Sequence, residues 1–202
     1  MAVSDLTELL VAIGSRDHQA ALAMLDATPS LVTDSVARRD ELFVEQRRAQ
    51  VYQGDTALHA AAFSYDVEIA RELVARGADV RARNRRGGEP LHAATMGAPG
   101  SSTWNPTEQQ AIIRYLVEAG ADPNATASGG VTPLHRAVRN RCSAAVQELL
   151  RVGADPLLAN DSGSTAADLA QWTTGRGGTG SPEAKAEQQT IIELLGRATV
   201  RR

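Results

Sequence analysis

Cysteine is nearly missing from this sequence: Cys142 is the only one in 202 residues. An internal disulfide is excluded, and a reducing cytosol is the compartment that suits such a chain. Aromatic residues are almost as scarce, at 3% against 43% hydrophobic residues overall, so any core must be built from Ala, Leu, Val and Ile. Lys185 is the only lysine among 21 basic residues, a bias expected of a high-GC bacterial genome. An excess of positive charge is also lacking. The formal net charge is -3, which argues against a general nucleic-acid binder. No apolar run approaches the length needed to cross a bilayer. The acidic, amphipathic start MAVSDLTELLVAIGSRD does not have the form of a secretory signal, so no membrane role is expected.

What the sequence does have is internal repetition. GDTALHAAA begins at Gly54, GGEPLHAAT at Gly87, GVTPLHRAV at Gly130 and GSTAADLAQ at Gly163, at intervals of 33, 43 and 33 residues. A second landmark, ELVARGAD, YLVEAGAD and ELLRVGAD, places Gly77, Gly120 and Gly153 at intervals of 43 and 33. Two independent landmarks therefore share one period, and one unit carries ten extra residues. Within a unit, Leu58, Ala61 and Ala62 form one apolar stripe at helical spacing, and Val67, Ile69, Ala70, Leu73 and Val74 form another. Gly77 then supplies the left-handed residue that ends a helix. Neither helix can bury its stripe alone, so the next unit must cover it.

Period and wording together resemble the ankyrin repeat, whose signature is a T-P-L-H-x-A turn followed by two helices. The matching residues are Thr56-Ala57-Leu58-His59, Glu89-Pro90-Leu91-His92 and Thr132-Pro133-Leu134-His135, with Thr165-Ala166-Ala167-Asp168 as a degraded fourth copy. The resemblance implies an all-α ankyrin-repeat solenoid with β-turn or hairpin fingers. The expected organisation is a capping helix pair (1–32), an elongated finger (33–53), repeat 1 (54–86), repeat 2 with an inserted loop (87–129), repeat 3 (130–162), and repeat 4 with a second insert and a C-terminal cap (163–202). Asp5-Leu-Thr-Glu8 has the form of a capping box opening the first helix. The first finger is charged in both signs with Leu42, Phe43, Val44, Val51 and Tyr52 interspersed, and either a hairpin or a short helix fits it.

Another echo overlies the period. E-Q-Q-x-I-I occurs at Glu108 and again at Glu187, 79 residues on. From turn to second helix, ordinary repeats run 13 residues (Thr56 to Ile69, Thr132 to Ala145), whereas repeat 2 runs 23 and repeat 4 runs 26. The echo thus marks the exit of an insert in alternate repeats, each leading into a helix start at Asn105-Pro106 and Ser181-Pro182. The two tryptophans, Trp104 and Trp172, sit in these inserts.

Chemistry-bearing motifs are few. His59, His92 and His135 would stack into a ladder that suggests a metal, but in ankyrin repeats this His makes structural hydrogen bonds between turns. GRGGTGSP resembles a phosphate loop only in its glycines, because Ser181 stands where Lys is needed. Cys142 has no evident activating neighbour. No paired carboxylates and no Ser/His/Asp spacing stand out, so neither catalysis, a metal nor a cofactor is expected.

The resemblance implies non-catalytic binding of another protein through fingers and first helices. Its exposed positions map here onto Tyr52, Gln53, Asp55, Phe63, Arg85, Arg86, Met96, Arg139, Asp161 and Trp172. Arg81, Arg83, Arg85 and Arg86 make the second finger basic, which points to a partner with an acidic patch. The alternative reading is a small-molecule or enzymatic pocket formed by the inserts, with Trp104, Arg139, Arg141, Trp172 and Arg176.

Overall fold

The computed structural model describes residues 4–37, 42–44, 49–172 and 181–200. Among these, ten α-helices follow one another in pairs: α1 (Asp5–Gly14) with α2 (His18–Ala27), α3 (Ala57–Phe63) with α4 (Val67–Ala75), and α5 (Pro90–Ala94) with α6 (Pro106–Glu118). Next come α7 (Pro133–Arg139) with α8 (Ser143–Arg151), and α9 (Ala166–Trp172) with α10 (Pro182–Val200). First helices α1, α3, α5, α7 and α9 pack side by side as one layer, and α4, α6, α8 and α10 as a second.

Side-chain size explains the layering. The first helices are short and bury Ala57, Ala61, Ala62, Ala94, Ala137, Ala166 and Ala170, so their backbones approach closely. The second helices fill the space behind with Ile69, Leu73, Ile112, Ile113, Leu116, Val146, Leu149, Ile191 and Leu195. Truncating one of these leucines to Ala costs about 2–5 kcal/mol. Each of α4, α6 and α8 ends on a glycine with positive φ, Gly77, Gly120 and Gly153. The next N–H then reaches back into the last turn, as Ala78 N does to Leu73 O at 2.9 Å, closing the helix end.

Fingers join the pairs and bond to one another in series. Arg85 N donates to Gln53 O (2.8 Å), Ser128 N to Arg86 O (2.9 Å) and Asp161 N to Gly129 O (3.0 Å). This close approach needs glycine. At Gly54 (φ 86°) a Cβ would lie 2.8 Å from Asn84 Cα, and at Gly130 (φ 67°) 2.8 Å from Asp161 N. The first finger is a hairpin: β1 (Leu42–Val44) runs antiparallel to β2 (Ala49–Val51), with Leu42 opposite Val51. Hairpin, not helix, is thus the outcome of the two forms its sequence allows. One expectation is corrected at the amino end. The N-cap of α1 is Ser4, which accepts from Thr7 N, and Asp5 is the first helical residue. The shorter hydroxyl reaches the free N–H groups, and Asp5 sits in the first turn, where a negative charge favours the helix dipole.

The E-Q-Q echo acquires a physical cause. In the units without inserts, the carbonyl five residues after the turn Thr is satisfied by the tight turn itself: Asp66 N donates to Ala61 O (2.9 Å) and Cys142 N to Ala137 O (3.1 Å). In the first insert no described backbone N–H reaches Ala94 O. Gln109 supplies the bond from its side chain, donating Nε2–H to Ala94 O at 3.0 Å, and Gln188 likewise donates its Nε2–H to Ala170 O. Both glutamines are buried. The preceding glutamates tie these helices to the short turns of other units: Glu108 pairs with Arg16 of the α1–α2 turn, and Glu187 accepts from Ser143 N at 2.8 Å.

Candidate functional site

On the finger side lies a cavity of about 740 Å³ that crosses four first helices. Leu10 of α1 is at one end and Arg136 of α7 at the other. Between them the lining includes Val51 and Tyr52 of the first finger, Asp55, His59, Ala60 and Phe63 around α3, Ala93 and Met96 around α5, and Trp104 from the first insert.

Each wall is held by local chemistry. Asp55 accepts from Tyr52 N (2.7 Å) and from Asn84 Nδ2 (2.8 Å), fastening the first finger to the second. The guanidinium groups of Arg85 and Arg86 lie over the Tyr52 ring, 5.1 and 4.7 Å from its centroid, within cation–π range. Trp104 is half-buried and donates Nε1–H to Gln109 Oε1 at 3.0 Å. Gly97 makes room for it: a Cβ there would meet Cys142 Sγ at 2.6 Å and Trp104 Cδ1 at 2.9 Å. The Tyr65 hydroxyl donates to Met96 O and receives a bond from Gln109 Nε2. One buried glutamine therefore positions both the insert and the Met96 corner.

Beneath the cavity runs the histidine ladder. Nδ1 of His59, His92 and His135 accepts from the backbone N–H of Thr56, Glu89 and Thr132 at 3.2, 3.2 and 3.3 Å. That leaves the proton on Nε2, which donates to Gly88 O, Val131 O and Ser164 O at 3.1, 3.1 and 2.9 Å. Both ring nitrogens are used up in hydrogen bonds. Burial lowers all three pKa values, that of His92 to about 4. Among the described residues no group of three His, Cys, Asp or Glu side chains is placed to hold a metal. Cys142 is buried, and burial pushes its thiol up to about 12, so it is a packing residue and not a nucleophile at neutral pH.

The helix pairs, the glycine-closed ends and the turn-to-turn histidines find their counterpart in known families. A family model described as ankyrin repeats (3 copies) matches residues 18–127, and one described as ankyrin repeats (many copies) matches residues 116–170. The chain belongs to the ankyrin-repeat family. Comparison with curated proteins returns no match.

On this ankyrin-repeat scaffold, the residues singled out from the sequence fall into three groups. Tyr52, Asp55, Phe63 and Met96 line the cavity, with Arg85 and Arg86 exposed at its rim over Tyr52. Gln53, Arg139 and Asp161 are exposed outside it, and Arg141 is half-buried in the turn between α7 and α8. The side chain of Trp172, and Arg176, lie outside the described residues. The cavity thus takes Trp104 from the expected loop set and joins it to residues of the expected partner face, while Arg139 and Arg141 are not part of its lining. The basic second finger also narrows. Arg81 donates to Gly120 O (2.9 Å), and Arg83 pairs with the buried Glu89. Arg85 and Arg86 are the pair that meets the first finger.

Arg136 is a cavity residue absent from both expected sets, and its signal is visible in the repeats. It follows the ladder histidine at the position filled by Ala60 and Ala93 in the preceding units, and all three line the cavity.

Proposed function

We propose that this ankyrin-repeat protein is a non-catalytic module that captures a partner protein in the trench between its fingers and first helices. Ankyrin repeats generally mediate protein–protein interaction. The observation that carries the reading is the clustering of Tyr52, Phe63, Met96 and Trp104 in one cavity with arginines at the rim, since aromatic and arginine side chains carry much of the energy at interfaces. Arg85 and Arg86 make a partner with an acidic patch the fitting one. A cytosolic bacterial setting belongs to the same reading, supported by the single buried thiol and the arginine bias.

Reversing both charges, Arg85→Glu with Arg86→Glu, is expected to reduce capture of the partner from a native lysate at least tenfold, quantified by mass spectrometry against wild type. Undiminished capture by the double variant would remove the finger from the binding face. A second reading, a small-molecule site, draws on the cavity volume, which falls within the range of ligand pockets. It predicts instead that Trp104→Ala has the larger effect and that low-molecular-mass extract protects the fold against heat.

A further inference from the structure

The trench is longer than a compact small molecule requires. Its lining runs from Leu10 on α1 across α3 and α5 to Arg136 on α7. Three helix-to-helix steps of 8–10 Å make roughly 25–30 Å. At about 3.3 Å per residue this is the span of eight or nine residues of extended chain.

Its chemistry is uneven along that length. The floor toward α1, α3 and α5 is apolar, with Leu10, Phe63, Met96 and Trp104. The α7 end is cationic. The Arg136 guanidinium makes no hydrogen bond or ion pair with any described residue, although it is half-buried and burial makes its charge costly. The one carboxylate in the lining, Asp55, is already engaged by Tyr52 N and Asn84 Nδ2. Arg86 and Arg139 add further positive potential at Arg136, which Tyr52 and Asp55 offset in part, and its pKa remains lowered. Packing gives no reason for an arginine here, because Ala60 and Ala93 suffice at the same position of the preceding units. A planar guanidinium held at the end of an apolar trench is suited to accept a carboxylate through two parallel hydrogen bonds.

Building on the partner-capture reading, we propose that the trench takes an extended segment of the partner. One apolar side chain sits over Phe63, Met96 and Trp104, and an Asp or Glu carboxylate a few residues along pairs with Arg136.

The test is selection of a phage-displayed random dodecapeptide library on the full chain, followed by affinity measurement on a synthetic peptide of the enriched sequence. The expected peptides carry Asp or Glu within a few positions of Leu, Phe or Trp. Arg136→Met keeps the apolar stem and should weaken binding at least tenfold while melting with wild type. Replacing the peptide's acidic residue by its amide should weaken binding to wild type equally, and add nothing further in Arg136→Met. Binding unchanged in Arg136→Met but abolished by Phe63→Arg would overturn the carboxylate assignment and leave capture in the trench standing. Binding that survives both variants lies elsewhere, and the capture reading falls with it. Enriched peptides without acidic residues, or no enrichment at all, contradict the proposal. So does indole-3-acetate binding as tightly as the peptide, because the occupant would then be a small acid.

Discussion

A ladder histidine such as His92 shows how much one side chain can hold in a stack. Its Nδ1 accepts from Glu89 N and its Nε2 donates to Val131 O, so it bonds its own turn and the next finger at once. The first of these bonds needs the neutral ring, because a protonated Nδ1 cannot accept. The pKa is lowered from 6.5 to about 4, chiefly by burial, with Arg136 adding to the shift. A depressed histidine contributes stability that is complete above the unfolded value and is lost as pH falls from about 6.5 toward 4. For His92 alone the shift corresponds to roughly 3 kcal/mol, and His59 and His135 shift in the same direction. Urea midpoints should therefore drop steadily between pH 7 and pH 5, above the range where most carboxylates titrate. A flat profile over that interval would show that the ladder is not buried and neutral.

Among the elements, the inserts show how a repeat tolerates extra chain. Lengthening the turn between α5 and α6 removes the N–H that would close the first helix, and Gln109 restores the bond from the side. Gln109→Leu would leave Ala94 O and Trp104 Nε1 without their partner. At about 1–3 kcal/mol for each buried group left unpaired, a loss of roughly 2–5 kcal/mol is expected in chemical denaturation. Gln110 bonds Gln147 and Ala144 O at the outer surface, and Gln110→Leu should cost less than 1 kcal/mol. Equal losses for the two glutamines would contradict this reading of the echo. The same elements show what sequence can carry. Helix pairs and their glycine ends are legible because the landmarks return at fixed offsets. The direction taken by Trp104 is not, since it depends on Gly97 being small and on Gln109 lying behind it, contacts that exist only once the fold has formed. The hairpin of the first finger is hidden for a related reason: charges of both signs mixed with apolar residues match neither period. Arg136 is legible, but only when the residue after each ladder histidine is compared across units.

Over the whole molecule, each helix pair touches mainly its neighbours, and the trench exists because successive units are in register. Phe63, Met96 and Trp104 come from two units and an insert, and the finger bonds hold these in line. Binding and stacking are therefore linked: a partner lying across four first helices would stabilise the array in proportion to its occupancy. The central claim is that the finger side receives the partner. A photo-crosslinking amino acid placed at Phe63, on the trench, and separately at Gln147, exposed on α8, tests it in native lysate. The account predicts one dominant covalent protein adduct from position 63 and none of that mass from position 147. The same adduct from position 147 and none from position 63 would put the partner on the opposite face.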